Sequence, residues 1–348
     1  MKKCCDKGKM LVDREYTRDD IFYKDVKAMP LIDMSLDRLK LYEGINPKPA
    51  DFERFWESSL EELSLVPLQY ELIESDFQTE FAKCYHMYFT GIDDARIHVK
   101  MVVPKSAIKK QAAILKFHGY KGNSGDWTSI LSLASLGHCV FAMDVRGQGG
   151  YSEDVGGVIG NTVQGHIIRG LDNENPNKLF YRSVFLDTVQ LAKIVQSFDF
   201  IDENRIGVTG WSQGGGLALA CAALFPQIKK VATVYPFLSD YQRVWEMDLA
   251  QGAYEELRTY FRLFDPEHQR KDKVFEKLGY IDIQHLTSRI NAEVHIGIGL
   301  MDTICPPSTQ FAAFNKINAK RIFHIYPDFG HEGLPGHFDK IHQFFEDL

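Results

Sequence analysis

Along the first 28 residues, acidic and basic side chains are interspersed with isolated apolar ones and neither a helical nor a strand period emerges, so 1–28 is read as a mobile N-terminal arm. The pattern changes at Met29. Leu36, Leu39, Phe52, Phe55, Trp56, Leu60 and Leu63 recur at helical spacing, and Pro47 and Pro49 divide them into short helices that dock on a main body. Residues 69–103 are rich in β-branched and aromatic side chains, end in the apolar stretch from Ile97 to Val103, and turn at Gly91-Ile92-Asp93-Asp94. An antiparallel sheet edge is expected there.

After Pro104 a new rhythm starts. Six short apolar runs, AAILKFHG, HCVFAMDV, RIGVTGWS, KVATVYPF, EVHIGIGL and KRIFHIYP, are each long enough for one buried strand. Helical segments 127–136, 183–198, 214–224, 306–317 and 337–348 fall between or after them. The alternation predicts an α/β domain over 29–348, with a mostly parallel sheet flanked by helices through right-handed crossovers. One interval breaks the rhythm: across 237–290 no strand pattern appears, whereas Leu257, Tyr260, Phe261 and Phe264 mark an amphipathic helix that Asp265-Pro266 ends. A helical cap insertion is expected over 237–290.

Composition narrows the functional classes. With 348 residues, 45% hydrophobic and 25% charged, the chain is ordinary for a globular protein and long enough for a large core. Forty basic against 47 acidic side chains leave a net charge of -7, which argues against a polyphosphate partner. No apolar run reaches the roughly 18 residues of a membrane span, and the start, MKKCCDKGKM, has no apolar region behind its lysines. Cys4, Cys5, Cys84, Cys139, Cys221 and Cys305 are too sparse for a disulfide scaffold and form no CxxC pair, which suits reduced thiols in a cytoplasm.

The chemistry concentrates in RIGVTGWSQGGGLALACAAL, where a strand runs through Gly210-Trp211-Ser212-Gln213-Gly214 directly into a helix. That context is a nucleophile elbow, the mark of the α/β-hydrolase fold. The turn is so tight that side chains two residues before or after the serine would clash, and glycines stand at 210 and 214. Ser212 is then left exposed above the sheet, and the Gln213 amide points to where an oxyanion would form. The dinucleotide fingerprint GxGxxG is not met, because Ser212 occupies its second glycine position.

A serine needs a base and an orienting acid, in the chain order serine, acid, histidine. EVHIGIGL delivers Asp302 to the C-terminal sheet edge and KRIFHIYP delivers His331, and the choice falls on these two. Asp240, after an earlier strand, is the rival acid; His324, inside a strand, is the rival histidine, and His337 and His342 are expected on the surface of the last helix. A second oxyanion donor is expected from the loop Phe117-His118-Gly119-Tyr120-Lys121-Gly122, at the Tyr120 amide. Metal is not favoured: HEGLPGH lacks HExxH, and Gly333 and Pro335 prevent the helix that would bring two imidazoles together. Arg146 is read as an ion-pair or hydrogen-bonding anchor for active-site loops.

Together, Arg146-Gly147-Gln148, Gly210-Trp211-Ser212-Gln213-Gly214 and His331-Glu332 resemble the three signature motifs of carbohydrate esterase family 7, the acetyl xylan esterases and cephalosporin C deacetylases. The resemblance extends over 165–182, 235–240 and 299–317 and runs from about Pro30 to the end; the arm 1–28 has no counterpart in it. It implies Ser212, Asp302 and His331 as the triad, the amides of Tyr120 and Gln213 as the oxyanion hole, no cofactor, and an intracellular homohexamer whose sites face an internal cavity. The expected activity is deacetylation of small acetylated substrates, such as acetylated xylo-oligosaccharides or cephalosporin C, with Trp127 and Phe237 narrowing the acyl pocket to acetate. A thioesterase or small peptidase, or a binding protein without activity on the same fold, are the alternatives.

Overall fold

Alternation of side chains along the central strands builds the core. In the computed structural model, which describes residues 32–105, 110–155 and 161–348, Ala113, Leu115 and Phe117 enter a large apolar cluster on one face of the sheet. Ala112 and Ile114 enter a second cluster on the other face, with Ile130, Leu133, Phe344 and Phe345. Each fully buried Leu, Ile or Phe contributes about 1.5–3 kcal/mol, so two-sided burial makes these strands the rigid part of the molecule.

Among the described residues there are nine strands: β1 (Tyr70–Glu74), β2 (Ala82–Thr90), β3 (Arg96–Pro104), β4 (Gln111–Phe117), β5 (Cys139–Met143), β6 (Ile201–Trp211), β7 (Lys230–Val234), β8 (Glu293–Gly299) and β9 (Arg321–Tyr326). They form one sheet in the order β1-β2-β3-β5-β4-β6-β7-β8-β9. The pairings of β1 with β2, β2 with β3 and β3 with β5 are antiparallel; all others are parallel. All six apolar runs are strands of the parallel part, and the antiparallel edge stands where the 69–103 pattern placed it. This is the α/β-hydrolase fold.

The helices are α1 (Leu36–Leu39), α2 (Phe52–Ser64), α3 (Trp127–Ala134), α4 (Phe180–Gln196), α5 (Gln213–Leu224), α6 (Tyr241–Glu246), α7 (Glu255–Phe264), α8 (Lys271–Leu278), α9 (Pro307–Phe314) and α10 (His337–Phe345). Helix α5 is buried along its whole length. Its glycines and alanines permit this, since a helix apolar on every side packs inside a protein. From β7 to β8 the chain leaves the sheet and forms α6, α7 and α8 with short 3₁₀ turns. On α7, Leu257, Tyr260 and Phe261 are buried, while Phe264 is exposed at the last position before Asp265, whose carboxylate accepts the amides of Gln269 and Arg270, both at 2.9 Å. Among the described residues no helix is long and apolar enough to cross a membrane. The predicted arm, 1–28, lies outside the described residues.

Candidate active site

The elbow between β6 and α5 is enforced by the backbone. Ser212 has φ 55° and ψ −125°, a conformation that costs a residue with a side chain about 1–3 kcal/mol. A Cβ on Gly214 would lie 2.1 Å from the carbonyl oxygen of Phe117, and one on Gly210 would lie 2.3 Å from the Gly214 backbone. Only glycine fits at either position. The Ser212 amide donates to the Val234 carbonyl at 3.0 Å and its own carbonyl accepts from Phe237 and Gly216, at 3.0 and 3.1 Å, so the turn is fastened to the next strand and to the chain beyond it.

Two loops bring the partner side chains. His331, after β9, places Nε2 3.0 Å from Ser212 Oγ and Nδ1 2.8 Å from Asp302 Oδ2. Asp302, after β8, is fully buried, and its other oxygen accepts the amides of Ile304 and Cys305 at 2.9 and 2.8 Å. Those donors hold the carboxylate in place and leave one oxygen for the imidazole. The ring of Tyr235 packs 4.4 Å from that of His331.

The rivals go elsewhere. Asp240 accepts the Tyr42 hydroxyl at 2.8 Å and the amides of Asn46 and Ile45 at 2.9 and 3.1 Å, so it ties the 42–46 segment to the end of the β7 loop rather than orienting His331. His324 lies in β9 with its ring 4.5 Å from that of His295. His337 overturns its expected surface position: it is buried, its ring 5.0 Å from that of His295 and its Nδ1 3.2 Å from the Tyr326 hydroxyl. Gly297 makes the space, since a Cβ there would lie 2.4 Å from His337 Nε2. Trp127 also departs from expectation. It stacks on Phe77 and meets His86 edge-on, against the antiparallel edge, because α3 starts on that side of the sheet. Phe237 does sit beside the elbow, its ring 5.8 Å from that of Tyr120.

The loop after β4 runs alongside Ser212: a Cβ on Gly119 would lie 3.9 Å from the Ser212 Cβ. His118 pins this loop. Val145 donates its amide to Nε2 at 2.9 Å, so the proton sits on Nδ1 and goes to the Gly119 carbonyl at 2.7 Å; burial lowers the pKa and keeps the ring neutral. Gln148 joins the loop to the elbow. Its Oε1 accepts the Lys121 amide and Gln213 Nε2, both at 3.0 Å, and its Nε2 donates to Gln213 Oε1 at 2.7 Å. Tyr181 donates its hydroxyl to the same Gln213 oxygen at 2.8 Å. Arg146 anchors the segment before Gln148 through Asp187, with Nε and Nη2 at 2.6 and 2.7 Å from the carboxylate and Nη2 3.0 Å from the Ile92 carbonyl.

Sequence reasoning missed Glu256, on α7, and gave Gln148 no specific partner. Glu256 accepts the Tyr120 phenol, and burial together with that carboxylate raises the phenol's pKa above its ordinary value. No local pattern marks Glu256, because its partners lie 136 and about 90 residues away. Among the described residues, Asp302, Cys305 and His331 form a group able to hold a metal, their ligating atoms within 4.8 Å of one another. Hydrogen bonds already occupy both oxygens of Asp302 and both nitrogens of His331, and burial, followed by the nearby Asp302 carboxylate, pushes the Cys305 thiol far above its usual pKa.

Sheet order and the strand-to-helix elbow define the class of α/β-hydrolase folds. More narrowly, a profile of the family described as acetyl xylan esterase (AXE1) matches residues 29–348, and the chain belongs to that family. The crystal structure of acetyl xylan esterase 1 from Thermoanaerobacterium sp. JW/SL YS485 is 53% identical, with a TM-score of 0.88 over 91% of this chain and 99% of that one. An acetyl xylan esterase from Paenibacillus sp. R4 is 35% identical, with a TM-score of 0.85 over 90% of this chain and 100% of its own. The acetyl esterase Axe7A of Xylanibacter ruminicola is 26% identical over 294 residues, 83% of this chain. The chain spans 64% of the length of that relative.

Proposed function

We propose that the protein is a serine esterase that removes acetyl groups from small acetylated substrates through an acetyl-enzyme intermediate. The observation that carries the reading is the unbroken line from Ser212 Oγ to His331 at 3.0 Å and from His331 to buried Asp302 at 2.8 Å, at the tip of an elbow. In this mechanism Ser212 attacks the acetyl carbonyl while His331 takes its proton. The amides of Tyr120 and Gln213 receive the oxyanion, and Asp302 holds the imidazole in the right tautomer and stabilises its charged form. His331 returns the proton to the leaving alcohol, and water activated by the same imidazole releases acetate.

Acetylated xylo-oligosaccharides and cephalosporin C-like esters are the proposed substrates, in line with family membership and the acetyl xylan esterase neighbours. A cytoplasmic homohexamer belongs to the same proposal; free buried thiols at Cys84, Cys139, Cys221 and Cys305 suit a reducing compartment. Acetate release from both substrate types by wild type and by Ser212→Ala is the test. Release that is lost in the variant is expected. If wild type releases nothing from either yet reacts with a fluorophosphonate at Ser212, the substrate class is wrong; light scattering on the same sample reads the assembly.

A further inference from the structure

Glu256 sits in the first turn of α7, nearly buried, and its carboxylate joins three separate pieces of chain. Oε1 accepts the Tyr120 phenol and the amide of Gly165 at 3.0 Å; Oε2 accepts the amide of Ile167 at 2.7 Å. Between those two amides, His166 presents its ring edge-on to Tyr120, 5.7 Å between centroids. Two residues earlier, the Tyr254 hydroxyl accepts the amides of Leu238 and Ser239 at 3.0 and 3.1 Å and ties the start of α7 to the chain just after β7.

On one side of Tyr120 the Gly119 carbonyl accepts from His118 Nδ1 at 2.7 Å and from the Gly122 amide at 3.0 Å. Gly119 has no side chain, and Lys121 has a positive φ of 63° and is held through its amide by Gln148. The Tyr120 phenol adds a fixed point between these two, on the side of the excursion. We propose that Glu256 is a positioning residue: from the excursion, through the phenol, it sets where the Tyr120 amide stands relative to Ser212. The inference rests on the esterase reading, in which that amide receives the oxyanion. An oxyanion donor acts within about 2.7–3.1 Å and is aimed at the transition state more than at the bound ester, so a misplaced donor lowers kcat more than it raises KM.

Glu256→Gln keeps the shape but replaces one acceptor with an NH2 group, which then faces a donor at either the Tyr120–Gly165 side or the Ile167 side. Expected are a fall in kcat of about 10- to 100-fold with KM within about threefold, and an equal fall in the rate of fluorophosphonate labelling of Ser212, which uses the same donors. Tyr120→Phe removes the phenol alone and should lower both rates by about 3- to 10-fold, with the double variant no slower than Glu256→Gln. Unchanged rates in both single variants, a change confined to KM, or additive losses would overturn the inference. If Glu256→Gln loses more than about 10 °C of thermal midpoint, Tyr120→Phe decides alone, and an unchanged kcat there overturns it. Wild type that fails to label overturns the esterase reading itself, whereas labelling at one rate in wild type and both variants overturns only the role of Glu256.

Discussion

Residues 210–216 hold Ser212 by backbone: a positive φ, carbonyls and amides at 3.0 Å, and glycines that the neighbouring chain leaves no room to replace. Residues 240–256 hold their surroundings by side chains: Asp240 and Glu256 each collect two amides and a hydroxyl from distant segments, and Tyr254 collects two amides from the chain just after β7. The first arrangement leaves no room for a side chain at Gly210 or Gly214. The second can be altered one hydrogen bond at a time, so precision at the proposed nucleophile and adjustability at the proposed oxyanion loop come from different parts of the chain.

The largest effect is expected at the side chains that converge on the backbone-held Ser212. Asp302→Asn keeps an oxygen for the Ile304 and Cys305 amides but turns an NH2 group toward His331 Nδ1, which selects the wrong tautomer. Hydrolysis of para-nitrophenyl acetate should fall about 10³- to 10⁴-fold, with the thermal midpoint little changed. A loss under about tenfold would remove Asp302 from the reaction. Gly214→Ala tests the backbone-held half by stability. Its Cβ, 2.1 Å from the Phe117 carbonyl, forces β4 and α5 apart, and urea unfolding should show a loss of at least about 3 kcal/mol.

That contrast also explains what was legible in the sequence. Gly210 and Gly214 are demands of one turn on its own neighbours, so they stand in the text beside Ser212, and the six strands were visible because two-sided burial writes continuous apolar runs. Glu256 was invisible, since an acidic residue in the first turn of an amphipathic helix reads as an ordinary solvated face and its partners are assembled only by the fold. His337 and Trp127 failed for a related reason. Their local surroundings suggested a surface helix and an active-site aromatic, but the space left by Gly297 and the side of the sheet on which α3 starts are tertiary facts.

Gln148 connects the two halves, and removing it should cost less than breaking either. Gln148→Leu leaves the Lys121 amide without its partner and removes both bonds to the Gln213 side chain, which keeps the Tyr181 hydroxyl and the His118 carbonyl. Each unpaired group costs about 1–3 kcal/mol. We expect a loss of about 2 kcal/mol in urea unfolding and about 10-fold or more in kcat, because both proposed oxyanion donors flank the lost contacts. A variant with lower stability and unchanged kcat would show that the elbow and the loop are set independently.

The smallest predicted effect separates the regions by pH. On the sheet side, burial and the neighbouring imidazoles lower the pKa of His295 to about 2, and burial and His324 lower that of His337 to about 4. The fold keeps both neutral while the unfolded chain takes up protons near pH 6.5, so their contribution is complete above that pH and is lost as pH falls toward the folded values. In the excursion, burial and the nearby Asp240 carboxylate raise Asp282 to about 7. This acid has the opposite sign: its contribution is complete below about pH 4 and is lost as pH rises toward 7. His285, three residues on and lowered to about 4 by burial, therefore offsets Asp282 within the excursion. Between pH 6 and 5, Asp282→Asn should steepen the acid-side loss of stability by about 1.4 kcal/mol per pH unit, one proton's worth, and His295→Phe should make it shallower by the same amount. Urea midpoints at half-unit intervals measure both slopes; a slope that Asp282→Asn leaves unchanged would mean that this carboxyl stays ionised in the fold.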